Sequence, residues 1–239
     1  MPQPPTGRIF RVGYRVRLSD ADATGRLHLD ALARYLQDAA TDDVSETDWG
    51  APDHLWVLRS VQIDVLAPFL DDDFVDIVTW GSSLSSLAAG RRWSLSGDAG
   101  GAVEVESTWI HLGPNARPAR IGAGFDDYAE ATQGRVASTK LALSPPAAGE
   151  RVAWPLRSTD VDRMGHVNNA AYWAAVEGRL LQHDPDLRLP HSARLDYRHP
   201  IDLGEDVELV EDTRDCRYVA AFLVADIVKA VVSVESLAS

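Results

Sequence analysis

The sequence predicts an α+β protein built from two successive copies of one unit, each a long helix followed by a run of antiparallel strands. Three observations predict it: an internal repeat, one helical stretch in each half, and several strand-like segments behind each helix. Residues 17–27 read RLSDADATGRL and residues 157–167 read RSTDVDRMGHV. Asp20 matches Asp160, Asp22 matches Asp162 and Gly25 matches Gly165, all at an offset of 140. Farther on, VQIDVLAPFLDDDFVDI (61–77) resembles ARLDYRHPIDLGEDVEL (193–209), now at an offset of 132. There Ile63 matches Leu195, Asp64 matches Asp196, Pro68 matches Pro200 and Asp73 matches Glu205. Two matches in the same order mark a duplication in which the second copy is shorter by about one loop.

The elements follow in order. Residues 10–18 alternate, with Phe10, Tyr14, Val16 and Leu18 on one face and Arg11, Arg15 and Arg17 on the other. That period of two predicts a half-buried strand. Leu29, Leu32, Leu36 and Ala39 or Ala40 then recur at helical spacing, with Asp30 as the expected cap. Strands are expected near 55–67, 74–84, 90–97 and 102–112. In the second half, Ala171, Trp173, Ala174 and Leu180 or Leu181 predict a helix from about Asn168 to His183. Strands are expected behind it near 192–199, 205–212, 216–224 and 226–236. The stretch 113–150 holds GPNARP, GAG and SPPAAGE, a linker composition. Ile121, Phe125 and Tyr128 predict that part of it packs. The expected organisation is a first unit over 1–130, a linker over 131–150 and a second unit over 151–239.

Composition narrows the function. With 45% hydrophobic and 25% charged residues, the chain has the balance of an ordinary globular protein. A net charge of -13 repels phosphate and argues against non-specific nucleic-acid binding. Cys216 is the single cysteine, so no intrachain disulfide forms; a reducing cytoplasm is the expected home and packing within a strand its expected role. No stretch approaches the roughly 20 apolar residues of a membrane span, and the opening MPQPPTGRIF lacks a signal-peptide core. There is no G-x-S-x-G elbow, Walker loop or H-E-x-x-H helix, and the seven histidines lack metal-ligand spacing. Neither cofactor nor metal is expected.

The stretch DVDRMGHVNNAAY (160–172) is similar to the D-x-D-x-x-x-H-V-N-N-x-x-Y signature of plant-type acyl-ACP thioesterases, and to wider thioesterases of the hotdog superfamily. RYLQDAA (34–40), WGSS (80–83), RRW (91–93), STWI (107–110) and RPARI (117–121) stand in that family's order. The resemblance covers most of the chain. It implies a double hotdog, two tandem hotdog folds in which a sheet wraps each long helix. It also implies an acyl tunnel in the first unit and thioester hydrolysis at residues of the second.

Such hydrolysis needs an activated water, stabilisation of an oxyanion and a pocket for the acyl chain. By the resemblance, Asp162 is the carboxylate that activates or positions water, and His166 is the catalytic histidine. The matching first-half residues are Asp22, which suits a turn, and Arg26, so the repeat itself does not demand histidine. Asn168 and Asn169 open the helix, where asparagine caps well. The free backbone N–H groups of that first turn would hold the carbonyl oxygen while Asn168 shapes the turn. Trp56 and Trp173 are the expected tunnel walls, with Asn169 also on the substrate. The chain departs from the family pattern at Met164, where asparagine is expected, and at His199-Pro200, where an acid is expected. His199 or Asp202 stands in for that acid, or Asp162, His166 and the backbone suffice, or the site has lost hydrolysis.

The expected partner is an acylated acyl carrier protein or an acyl-CoA. An acidic carrier needs a basic patch, for which Arg91, Arg92, Arg117, Arg120, Arg194 and Arg198 are available. The rival readings are an acyl-thioester-binding protein without catalysis, and a hydratase pairing His166 with Asp22. A monomer or a homodimer is compatible with the tandem arrangement.

Overall fold

The duplication is carried through the backbone. The computed structural model describes residues 1–47, 49, 55–115, 117–183, 190–214 and 217–237. The first half runs β1 (Ile9–Arg15), α1 (Leu29–Ser45), β2 (Leu55–Ala67), β3 (Phe74–Leu84), β4 (Ala88–Gly97) and β5 (Ala102–Leu112). A short helix, α2 (Asp126–Thr132), follows. The second half runs β6 (Glu150–Trp154), α3 (Asn169–His183), β7 (His191–Tyr197), β8 (Val207–Arg214), β9 (Arg217–Val224) and β10 (Ile227–Ser236). All strand pairings are antiparallel and join one sheet in the order β1-β3-β4-β5-β2-β7-β10-β9-β8-β6. The order reads identically from either edge once β1 is exchanged for β6, β2 for β7 and so on. The seam is β2 on β7, paired from Ser60 with Asp196 to Val65 with His191.

One core serves both helices. Leu32, Leu36 and Ala39 of α1 share it with Trp173, Val176 and Leu180 of α3. The inward residues of the four central strands close it, among them Ile63, Val105, Leu195 and Val232, each fully buried. Each such side chain contributes about 1.5–3 kcal/mol by leaving water. The helix periodicity of the sequence thus marks the face that packs.

Three details differ from the sequence expectation. Strand β1 stops at Arg15, and Leu18 is 87% exposed in a 3₁₀ turn, Leu18–Asp20. The Asp20 carboxylate turns the chain there by accepting the Tyr35 hydroxyl at 2.7 Å. Asp30 is not the cap of α1 but pairs with Arg34 one turn on; the Leu29 N–H instead donates to Glu177 of α3 at 2.8 Å. Strand β6 lies outside the segments the sequence predicts, because most of its five residues are exposed at a sheet edge. Cys216 lies outside the described residues.

The 113–150 stretch packs in part, as Phe125 and Tyr128 predicted. Both are buried with Trp49 in a small second cluster. The Tyr128 hydroxyl donates to the Gly90 carbonyl at 2.6 Å, and its ring lies so close to Gly81 that a Cβ there would stand 2.9 Å from it. Farther along, fully buried Asp196 of β7 accepts the N–H groups of Ala142 and Leu143 at 2.7 and 2.8 Å, fastening the connection to the sheet. Among the described residues, no helix is long and apolar enough to cross a membrane.

Candidate active site

The two D-x-D-x-x-G turns fold alike and then diverge in chemistry. In both, the first aspartate closes a 3₁₀ turn, and its carbonyl accepts an N–H from the helix start, His28 in one half and Asn168 in the other. Gly25 and Gly165 take positive φ, which glycine adopts without strain. In the first half the turn is self-contained. Asp22 accepts the Thr24 N–H and hydroxyl, the Arg26 N–H and the Arg26 guanidinium. Burial works to raise this carboxyl, but those bonds outweigh it and hold it below the usual range.

In the second half Asp162 is less encumbered. Its Oδ1 accepts the Met164 N–H at 2.8 Å, and its Oδ2 lies 3.3 Å from Asn168 Nδ2. Asn168 in turn accepts the Ala170 N–H at 2.8 Å, so one side chain caps α3 and braces Asp162. The side chain of Met164 points to solvent, so the departure from the family pattern leaves no buried gap.

His166 turns away from Asp162 toward Asp202, with Nδ1 2.6 Å from Oδ1. The backbones of these two residues form an isolated bridge, and the equivalent first-half bridge joins Arg26 to Leu70. A His–carboxylate pair thus occupies in one half the frame that holds an Arg and a Leu in the other. His199 and Pro200 are exposed and make no such contact. Of the two substitutes for the missing acid, it is Asp202 that meets the histidine.

A narrow apolar cavity opens beside the start of α3. Its wall includes Leu36, Leu58, Trp93, Trp109, Asn169 and Trp173. The indoles of Trp93 and Trp109 both reach the Ser107 hydroxyl, at 3.2 and 3.0 Å, which fixes their planes. The Asn169 carbonyl accepts the Tyr197 hydroxyl at 2.9 Å. Asn169 and Trp173 both line this cavity, and Asn169 is next in sequence to Asn168. Trp56 does not line this cavity; it packs on His111 and Phe125 in the second cluster. Trp93 and Trp109 line the cavity instead. Their position on alternate inward residues of β4 and β5 was the available signal.

Most of the expected basic patch is committed internally. Arg91 is buried against Asp43 at 2.6 Å. Arg92 pairs with Glu104, Arg194 with Asp196, and Arg198 donates to the Leu143 carbonyl. Arg117 and Arg120 remain exposed.

Comparison with known proteins identifies the family and the fold. Residues 7–128 match the family model of the acyl-ACP thioesterase N-terminal domain, and residues 143–229 match that of the C-terminal domain. An uncharacterized protein of Mycobacterium tuberculosis is 30% identical over 234 residues, covering 95% of this chain and 92% of its own. The crystal structure of an acyl-ACP thioesterase from Bacteroides thetaiotaomicron superposes with a TM-score of 0.81 at 17% identity, covering 95% of this chain and 97% of that one. The 12:0-ACP thioesterase of Umbellularia californica does so with a TM-score of 0.76 at 15% identity, covering 95% and 96%. The chain belongs to the acyl-ACP thioesterase family, thioester hydrolases with the double hotdog fold.

Proposed function

We propose that the protein hydrolyses fatty acyl-ACP thioesters, with the acyl chain among first-half residues and the chemistry at the start of α3. The observation that carries this reading is the Asp162–Asn168 pair beside an apolar cavity walled by α1, β2, β4 and β5. Asp162 takes a proton as water attacks the thioester carbon. Asn168 takes up the Ala170 and Ala171 N–H groups, so it is the Asn169 N–H and the positive end of α3 that stabilise the growing negative charge on the carbonyl oxygen. The carbon–sulfur bond then breaks with its electron pair on sulfur, which takes a proton from His166, held in place by Asp202. Exchange with solvent returns Asp162 and the exposed His166 to their starting states.

The cavity, about 30 Å³, has room for about two waters. A fatty chain therefore enters as the surrounding side chains turn aside, and each methylene buried contributes roughly 0.8 kcal/mol. Turnover should accordingly depend steeply on chain length.

The test is thiol release from matched acyl-ACP and acyl-CoA substrates, C8 to C18, by wild type and Asp162→Ala. Loss of a general base costs about 10²–10⁴ in rate. Better use of the ACP series, lost in the variant, supports the proposal. Equal or better use of CoA makes the protein an acyl-CoA thioesterase, and saturable binding without release makes it an acyl-binding protein.

A further inference from the structure

The duplication produces a second cavity, larger than the first, at the start of α1. Its volume is about 50 Å³. The two cavities are related by the offsets of the sequence repeat. Leu29 lines one and Asn169 the other; Val65 lines one and Tyr197 the other; Glu177 lines one and Gln37 the other. In each, the first residue of one long helix faces a residue eight positions along the other helix. The first cavity presents an amide there. The second presents a carboxylate.

That carboxylate is set in an unusual place. Glu177 is largely withdrawn from solvent, its side chain 16% exposed. It accepts the Leu29 N–H at 2.8 Å and lies 3.2 Å from His28 Nδ1. Burial raises its carboxyl above the usual range; the bonds from Leu29 and His28 oppose the shift, and Asp30 adds to it. His191, at the start of β7, lines the same cavity and is 5% exposed. Both its ring nitrogens are buried with no protein partner. Burial, assisted by nearby Arg26, holds that ring neutral, with its pKa lowered to about 4. A neutral imidazole carries one donor and one acceptor, and leaving them unmet in a protein interior costs free energy. The rest of the wall is mainly apolar, including Leu27, Leu32, Phe69 and Leu180, with Asp22 and Arg26 also lining it.

We propose that this cavity is a second acyl-thioester site, in which Glu177 is the general base and His191 holds the carbonyl oxygen or the attacking water. The site goes beyond the reading of the α3 centre and does not depend on it. Water oxygen bonds to the thioester carbon while its proton passes to the Glu177 carboxylate. The carbon–sulfur bond breaks with its electron pair on sulfur, and the Glu177 proton moves to that sulfur. One carboxylic acid and one thiol leave, and Glu177 is restored as carboxylate. A general base that is most useful near neutral pH has a raised carboxyl pKa, which is the direction burial imposes here.

The experiment is thiol release from a panel of acyl-CoA thioesters, acetyl to dodecanoyl, by wild type, Asp162→Ala, Glu177→Gln and the double variant. Glutamine keeps an oxygen for the Leu29 N–H, so the cap on α1 survives while the base is lost; thermal melting checks this. The expected result is residual release by Asp162→Ala that falls by about 10²–10⁴ when Glu177→Gln is added. That residual release should climb with pH through a midpoint above the ordinary carboxylate range, a signature that a merely structural Glu177 would not give. Folded Asp162→Ala protein without release above background overturns the proposal, and so does a double variant as active as Asp162→Ala. If Asp162→Ala runs at the wild-type rate, the reading of the α3 centre fails, and Glu177→Gln alone still decides this one.

Discussion

His166 Nδ1 and Asp202 Oδ1 lie 2.6 Å apart, joining the turn before α3 to the loop before β8. Both side chains are about half exposed or more, 48% and 61%, and exposed ion pairs contribute only about 0–1 kcal/mol to stability. The pair is therefore expected to matter for turnover rather than for folding. Asp202→Asn should leave the melting temperature nearly unchanged and lower kcat/KM, by less than the roughly 10²–10⁴ expected of His166→Ala. Melting and steady-state kinetics on the same preparations check this; a destabilised variant with normal turnover would contradict it.

Asn168 combines two duties that a substitution series can separate. Asn168→Ala removes the acceptor for the Ala170 N–H and the donor to Asp162. It should cost about 0.5–2 kcal/mol as a lost helix cap and also lower turnover. Asn168→Ser restores a capping oxygen but is too short to reach Asp162. Denaturant unfolding should show stability largely recovered, while assays show turnover still depressed.

His191 makes stability depend on acid. Its pKa is about 4 in the fold against 6.5 unperturbed. Between those values the unfolded chain binds a proton that the folded chain does not, so stability is lost as pH falls from 6.5 to 4. The loss amounts to roughly 3 kcal/mol when complete. Melting curves at pH 7 and pH 4.5 should show a smaller gap for His191→Leu than for wild type. An unchanged gap would mean that the ring is protonated in the fold.

Asp43 is the anion at the centre of a buried cluster. It takes Arg91 Nη1 and Arg8 Nε at 2.6 Å each, and both Asp43 and Arg91 are almost wholly buried. Removing one partner strands the other charge, so Asp43→Ala should destabilise by about 3–5 kcal/mol. Urea titration measures it. Replacing Arg117, which is exposed, should leave stability within about 0.5 kcal/mol.

Local signals in the sequence carried most of the fold. The period of α3 predicts Asn168–His183 against an observed Asn169–His183, because a helix that buries one face must repeat its apolar residues in phase. The turn residues Asp22, Gly25, Asp162 and Gly165 were legible for the same reason, since the turn imposes its own chemistry. What escaped was set by partners distant in the chain. Glu177 caps a residue 148 positions earlier, and no local pattern announces that. Asp202 was one of two open candidates until the fold brought it to His166. Trp56 missed the cavity by one step: it shares a strand face with Leu58, which lines the wall, but sits two residues farther along, about 7 Å, over the cluster covered by α2.

The β2–β7 seam has a kinetic meaning. Were the two halves separate molecules, a cavity whose wall draws on both would exist only above some threshold concentration and would vanish on dilution. Joined through one chain and paired along six residues from Ser60–Val65 and His191–Asp196, they meet within one molecule, at an effective concentration that dilution does not change. Assembly of that cavity is then first order. Specific activity should stay constant however far the enzyme is diluted, and a single cut in the connecting stretch, once the seam is also melted, would turn a property of one molecule into an encounter between two.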